Sequence, residues 1–308
     1  MTSPLLGIVG PTASGKTDLA LALARRIPVE ILVADSRQVY RGMDIGTAKP
    51  DAAARAAVPH HLLDLVDPDQ PFTVAQWVER ARALIPDVAA RGRTPMLLGG
   101  TGLYVAALLD GHDYATQPWS PEVRARLADE LEADGLPPLA ERLARVDAEA
   151  AARIDLRNPR RVLRALERVG AGGGGAVPRA EPYAGHVALV ALDRPRAALH
   201  RRIDERSARL FTDGLLDEVQ GLLEAGYGSG LHPMTGHGYR EAAAVLAGEW
   251  PLEQGIEVTA RRTRQYAKRQ LTWFRRDRRV AWIPADEKAG DAPELVAAGE
   301  RLLRAALS

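Results

Sequence analysis

The chain has 308 residues, of which 46% are hydrophobic and 26% charged, an ordinary balance for a soluble globular protein with one large or two medium cores. Lys and Arg number 41 against 40 Asp and Glu, a net charge of +1, so a nucleic-acid partner has to be met by a local basic patch and not by the whole surface. Cysteine is absent, which excludes disulfides and thiolate metal sites, and with neither an export signal nor an apolar run near the ~18 residues of a membrane helix a cytoplasmic protein without a membrane partner is expected.

In chain order, "LLGIVG" is an apolar run that stops at a glycine loop, "GPTASGKT", and "DLALALARR" then places apolar residues at helical spacing. Strand, loop, helix is the reading. "VEILVAD" is a second buried strand ending at Asp35, the stretch from Trp77 to Ala90 is helical in pattern, and "TPMLLGG" is a third strand that stops at Gly99 and Gly100. Strands alternating with helices predict an α/β fold: a P-loop NTPase-like core with a parallel sheet and helices on both faces. From Ser120 the texture turns to Ala, Arg and Glu in "PEVRARLADELEADG", "PPLAERLARVDAEAAARI" and "NPRRVLRALERVG", a mostly helical insertion. It closes on the flexible run Gly172 to Gly175, after which "HVALVALDR" is a strand that rejoins the sheet. Helices are expected to fill the remainder, with an exposed "DEKAGDAPE" loop before a last amphipathic helix. The predicted domains are 1–118, the helical insertion 119–183, and 184–308 with its basic C-terminal helices.

Gly10, Gly15, Lys16 and Thr17 satisfy G-x-x-x-x-G-K-[ST] between a predicted strand and a predicted helix, the context this motif needs. Backbone N–H groups of the loop that holds Pro11, Thr12, Ala13 and Ser14 turn inward, Lys16 adds a full charge, and the Thr17 hydroxyl is a candidate Mg²⁺ ligand. A di- or triphosphate group is implied; ATP, GTP and an organic diphosphate all remain open. No acid follows "MLL", where such proteins commonly hold their metal, and the carboxylate lies instead at Asp35, followed by Ser36, Arg37 and Gln38. Ligands of open α/β sheets gather at the carboxyl ends of strands, so Asp35, Thr101 and the phosphate loop should share one crevice.

Two basic stretches stand out in a nearly neutral chain. Residues 255–279 carry nine Lys or Arg against Glu257 and Asp277, a local net of +7, and Arg261, Arg264, Lys268 and Arg275 step down one side of a predicted helix with Tyr266, Trp273 and Phe274 nearby. Arg157, Arg161, Arg164 and Arg168 repeat the pattern beyond an Asn158 cap and a Pro159 start, with Leu163, Leu166 and Val169 toward a core. Either run alone is a solvated face; both together suggest contacts to a phosphate backbone. His60, His61, Trp119 and Trp250 are read as packing or satisfied polar residues, and no metal site is placed on the two histidines.

"GPTASGKT", "DSRQVYRGMDIGTAKP", "PHHLLD", "GGTGLY", "NPRRVLRALE", "GHGYRE" and "TRQYAKRQLTWFR" together resemble the tRNA dimethylallyltransferase family, in the family's order and across residues 10–275. The resemblance implies that the loop holds the diphosphate of dimethylallyl diphosphate, a leaving group. The implied acceptor is the exocyclic amine of the adenosine 3′ of the anticodon, in tRNAs reading codons that begin with U. Asp35 would take the amine's proton, Ser36 and Gln38 would hold the flipped base, and Thr101 would bond the diphosphate near the breaking bond. Lys16, Thr17 with Mg²⁺, Arg202 and Arg206 would stabilise the leaving group. By the same resemblance, Arg37, Val123, Arg124 and the stretch Pro159, Arg160, Arg161, Val162 and Leu163 would meet the anticodon stem-loop of the tRNA, and a monomer is expected. His237 stands where the family carries an aliphatic residue, and the Gly172 to Gly175 run replaces a stiffer connection. The rival readings are a P-loop small-molecule kinase, a non-catalytic RNA-binding protein, and prenyl transfer to free adenine nucleotides, against which the basic faces weigh.

Overall fold

Six segments supply the strands: β1 (Leu5–Val9), β2 (Val29–Val33), β3 (His60–His61), β4 (Thr94–Gly99), β5 (Val187–Asp193) and β6 (Val280–Pro284). The structure, a computed structural model, describes residues 3–111, 120–173, 181–305 and 307. Among these the strands form one sheet in the order β3-β2-β4-β1-β5-β6, every pairing parallel. All five residues of β1 and of β2 are buried, Glu30 being the one charged residue among them, as expected of strands whose two faces are both covered by helices. Val33 and Ile8 both register with Leu98, so the ends of β1, β2 and β4 are level and deliver Gly10, Ala34 and Gly100 to one edge.

The helices of this unit, Met1–Leu108 with Tyr183–Ser308, begin with α1 (Lys16–Ala24), α2 (Ala52–Ala57), α3 (Val74–Ala90) and α4 (Gly102–Asp110). Thr73 and Gln76 cap α3 reciprocally, which fixes its start. Leu19 and Leu23 of α1 pack with Ile8, Met96, Val190 and Ile283 of the sheet. Trp77, fully buried, donates its indole N–H to the Val33 carbonyl at 3.0 Å and stacks on Tyr104 with 4.8 Å between centroids.

The second unit, Leu109–Pro182, contains α5 (Pro121–Asp134), α6 (Leu136–Val146), α7 (Ala148–Arg153) and α8 (Pro159–Gly170). Ser120, Asp147 and Asn158 accept N–H groups of the first turns of α5, α7 and α8, the role short polar side chains fill at helix starts. Leu127, Leu139, Leu143, Val162 and Leu166 form the core. Buried Glu167 draws Arg124 to 3.5 Å and Arg164 to 3.1 Å. Gly172, at φ 86°, ends α8, and Gly173 N–H bonds the Arg168 carbonyl; Gly174 and Gly175 of the glycine run, Trp119 and the predicted boundary at 118/119 lie outside the described residues.

Returning to the first unit, α9 (Arg196–Thr212), α10 (Leu215–Glu224), α11 (Tyr239–Leu246), α12 (Leu252–Phe274) and α13 (Pro293–Arg304) follow β5. The expectation that helices fill this remainder is corrected by β6, which pairs with β5 from Leu189↔Val280 to Asp193↔Pro284. Its five residues lie between arginines and an acidic loop, too short a run to announce a strand against the helical pattern around it. The "DEKAGDAPE" stretch is largely exposed, as expected, with Gly290 its one buried residue.

Leu143 is fully buried in the core of the helical unit, and Leu143→Ala should destabilise that unit by about 2–5 kcal/mol. Chemical denaturation followed by circular dichroism reads the shift.

Candidate functional site

The phosphate loop joins β1 to α1. Gly10 (φ 128°), Ala13 (φ 60°) and Gly15 (φ 91°) take left-handed or extended positive-φ conformations, which turn successive N–H groups toward one concavity. Arg202 Nε donates to the Ala13 carbonyl at 2.9 Å, and Arg206 Nη1 to Thr12 Oγ1 at 2.7 Å. Lys16 Nζ donates to the Pro11 carbonyl at 3.3 Å. Burial, and after it the neighbouring Arg206, lowers the Lys16 ammonium to about 8; an anion in the loop reverses that pressure. The Ser14 hydroxyl is buried without a hydrogen-bond partner.

Ser36 N–H donates to Thr101 Oγ1 at 3.0 Å, and Thr101 N–H to the Ala34 carbonyl at 3.1 Å, so the ends of β2 and β4 are stitched together through the threonine. Asp35, half-buried, accepts the Arg37 N–H at 2.9 Å, a local turn bond that uses one oxygen. Its charge acts on Lys16 and Arg206. The expected company of Asp35, Thr101, Lys16 and Arg206 therefore gathers at one edge of the sheet. Arg37 Nη1 donates to the His232 carbonyl at 2.7 Å, and Gln38 Nε2 to the carbonyls of Thr47 and Ala48 at 3.0 and 3.2 Å; any role of Gln38 toward a base falls to its Oε1.

The segment after Gln38 is rigidly held. Glu218 accepts the N–H groups of Asp44, Ile45 and Gly46 and the Tyr239 hydroxyl, and the buried Lys49 ammonium bonds the Tyr40 carbonyl, Asp44 and Asp64 at 2.6–2.7 Å. Between this segment and α9 runs a groove of about 760 Å³ lined by Asp44, Lys49, Arg55, Arg206, Arg209 and Asp213, among others. Arg206 thus faces both the groove and the phosphate loop.

Two residues of α12 meet this edge in ways the sequence reading does not give: it omits Gln270 and offers Tyr266 only for packing or stacking. Gln270, nearly fully buried, accepts the Thr12 N–H at 2.8 Å and donates to the Gly100 carbonyl at 2.9 Å. Tyr266 is hydrogen-bonded to the Thr101 side chain, and burial, followed by Asp35, pushes its hydroxyl up to about 12. The available signal was a polar Gln270 on the same face as Ala267 and Phe274, both buried. Of the predicted basic face, Lys268 is exposed, Arg261 lies 3.7 Å from Glu257, Arg264 pairs with Asp204, and Arg275 pairs with Asp193 at 2.8 Å while lying over Trp282. Phe274 is core and Trp273 is 42% exposed. In the helical unit, Pro159, Arg160 and Arg161 are exposed, Val123 and Leu163 are half-buried, and Arg124 is exposed beside Glu167. Val162 is corrected: it is fully buried in that unit's core, so its side chain is not available to RNA.

The histidines have structural surroundings. His61 Nε2 lies 2.7 Å from Glu30, which Arg91 chiefly holds down to about 2, and His60 Nδ1 lies 2.8 Å from the Val58 carbonyl. His237 Nδ1 is buried without a partner, 5.4 Å between ring centroids from Tyr266. Burial, then Arg262, Arg269 and Arg37, lowers its imidazole to about 4.

A phosphate loop at the switch point of a parallel sheet, with a carboxylate and a hydroxyl from the two neighbouring strand ends, defines a P-loop α/β protein acting on a phosphorylated ligand. Residues 38–277 match the family model for IPP transferase and residues 4–58 that for isopentenyl transferase. The chain is 50% identical to a tRNA dimethylallyltransferase of Anaeromyxobacter dehalogenans, over 92% of this chain and 97% of the relative. It is 46% identical to one of Roseiflexus castenholzii, over 98% and 97%. A solved tRNA isopentenylpyrophosphate transferase of Bacillus halodurans superposes with a TM-score of 0.73 at 37% identity, covering 99% of this chain and 97% of that one. The chain belongs to the IPP transferase family, and it is a prenyltransferase. The kinase alternative is not favoured.

His237 ionises less readily folded than unfolded, so between about 6.5 and about 4 the unfolded chain binds the extra proton and stability falls as pH falls. His237→Leu should reduce the pH dependence of the unfolding free energy in that window by up to one proton's slope, measured by urea titrations at several pH values.

Proposed function

We propose that the chain transfers the dimethylallyl group of dimethylallyl diphosphate to the N6 amine of the adenosine 3′-adjacent to the anticodon, in tRNAs reading codons that begin with U. It acts as a cytoplasmic monomer. The observation that carries the reading is the convergence of Asp35, Thr101 and the phosphate loop on one sheet edge, joined by the Ser36–Thr101 bond. The adenine must leave its stack to reach a carbon inside a closed site. As the N6–C1 bond forms, the C1–O bond breaks, and diphosphate departs with the bonding pair. Asp35 takes the proton that N6 loses. The N–H groups of Ala13 to Gly15, with Lys16, Arg202 and Arg206, receive the negative charge that develops on the leaving group.

The donor set fits Mg²⁺. Thr17 presents an exposed hydroxyl at the start of α1, and no group of three or more His, Cys, Asp or Glu stands together among the described residues. An ion that keeps several waters and takes its remaining ligands from phosphate oxygens suits one protein hydroxyl. When bound, it supplies charge neutralisation of the diphosphate. Ser36, Gln38 and Thr101 orient the adenine and the donor, and Lys268 with Arg160 and Arg161 contacts the RNA backbone.

Incubation with tRNA, dimethylallyl diphosphate and Mg²⁺ should yield prenylated adenosine without ATP, detected by mass spectrometry of nucleosides; a strict ATP requirement would refute the reading. Asp35→Asn keeps the size but cannot take the proton, so its single-turnover rate should fall by ~10²–10⁴-fold with tRNA binding nearly intact.

Arg161→Ala and Lys268→Ala should each flatten the slope of log tRNA affinity against log salt by about 0.7–0.9, one lost phosphate contact apiece. Filter binding across a salt series reads the slopes.

A further inference from the structure

Three arginines bond three successive residues of the phosphate loop. Arg206 reaches the Thr12 hydroxyl and Arg202 the Ala13 carbonyl, both from α9, while Arg194, from the connection between β5 and α9, donates Nε to the Ser14 carbonyl at 2.6 Å. Arg194 is the most deeply buried of the three, 6% exposed. Its other donors also go to main-chain carbonyls, Nη1 to Asp286 and Nη2 to Lys288, each at 2.7 Å. The segment so held, 286–290, follows β6 and lies directly on the loop. Gly290 packs against Gly15 so closely that a Cβ on Gly290 would collide with the Gly15 carbonyl.

A guanidinium is planar and presents these donors in fixed directions from three separate nitrogens, whereas an ammonium offers all its donors from one nitrogen at the end of a flexible stem and does not reproduce that spread. Loss of the fork leaves the buried Ser14 carbonyl without its partner and unties it from the Asp286 and Lys288 carbonyls, so the loop loses its anchor to the 286–290 segment. Asp18, Glu287 and Asp286 act on Arg194 only through space, and Arg202 opposes them, so its bonds are with the backbone and its charge stays beneath the loop.

We propose that Arg194 is a positioning residue for diphosphate binding: it clamps Ser14 to the 286–290 segment and thereby holds the N–H groups of the phosphate loop at the spacing a diphosphate requires. This rests on the reading of the loop as a diphosphate site. It differs from the roles of Arg202 and Arg206, which stand where they can face the ligand.

The test is calorimetric titration of inorganic pyrophosphate with Mg²⁺ into the full chain, for wild type, Arg194→Lys and Arg194→Met, with KM for dimethylallyl diphosphate and tRNA affinity measured alongside. Both variants should bind pyrophosphate about tenfold or more weakly, Lys no better than Met, with KM raised by a similar factor and tRNA affinity within about twofold. Arg194→Lys binding at the wild-type level overturns the clamp, and so does a parallel fall in tRNA affinity, which marks a general structural role. If wild type itself does not bind pyrophosphate, the diphosphate-site reading fails; if wild type binds and the variants bind equally, only the inference about Arg194 fails. Should the Arg194 variants not fold, Gly290→Ala pushes the segment off Gly15 with the arginine in place, and it must show the same loss of pyrophosphate affinity; unchanged affinity there overturns the proposal.

Discussion

A loop that turns its N–H groups inward turns its carbonyls outward, and at the packed edge of a sheet those carbonyls need donors other than water. That requirement organises the unit around the phosphate loop. The Pro11 carbonyl is served by Lys16, the Ala13 carbonyl by Arg202 and the Ser14 carbonyl by Arg194, while the Thr12 N–H goes to Gln270. Of these partners only Lys16 is local. The others arrive some 180 to 258 residues later in the chain, so the motif near the N-terminus acquires its shape only when β5, α9 and α12 are in place.

The distribution of charge follows the same logic. Glu30, at the start of β2, gathers Arg91 and His61 at the end of the sheet opposite to the site, which keeps a buried carboxylate ionised away from the phosphate loop. At the other end Lys16, Arg194, Arg202 and Arg206 bond the phosphate loop and Asp18 acts on Lys16 and Arg194, while Asp35 holds a turn and Glu218 organises the 44–46 backbone. Charge counted along α12 overstates the basic face, because Arg264 and Arg275 find acids on α9 and β5.

The core strands were legible in the sequence because runs buried on both faces are largely apolar, as β1 is throughout and β2, β4 and β5 are apart from Glu30, Thr94 and Asp193. The phosphate loop, Asp35 and Thr101 were legible because residues at strand ends of a parallel sheet must meet. The sixth strand was not, since "VAWIP" is half-buried and sits in a helical context. The bonds of Gln270 and Tyr266 were hidden because their partners are backbone groups and a hydroxyl on other elements, which spacing within α12 does not encode. Val162 shows the converse limit: a motif names a segment, and only packing decides which of its side chains face outward.

Gln270 has a mechanical consequence. Its single side-chain amide ties the phosphate loop at Thr12 to the end of β4 at Gly100, while four residues earlier on the same helix Tyr266 bonds Thr101. One helix, α12, therefore touches the phosphate loop and the Thr101 hydroxyl at the end of β4, and carries Lys268 on its solvent side. The spacing between the phosphate loop and the strand end that carries Thr101 is thus referred to helical rise along one element, about 1.5 Å per residue, and not to the course of two separate loops.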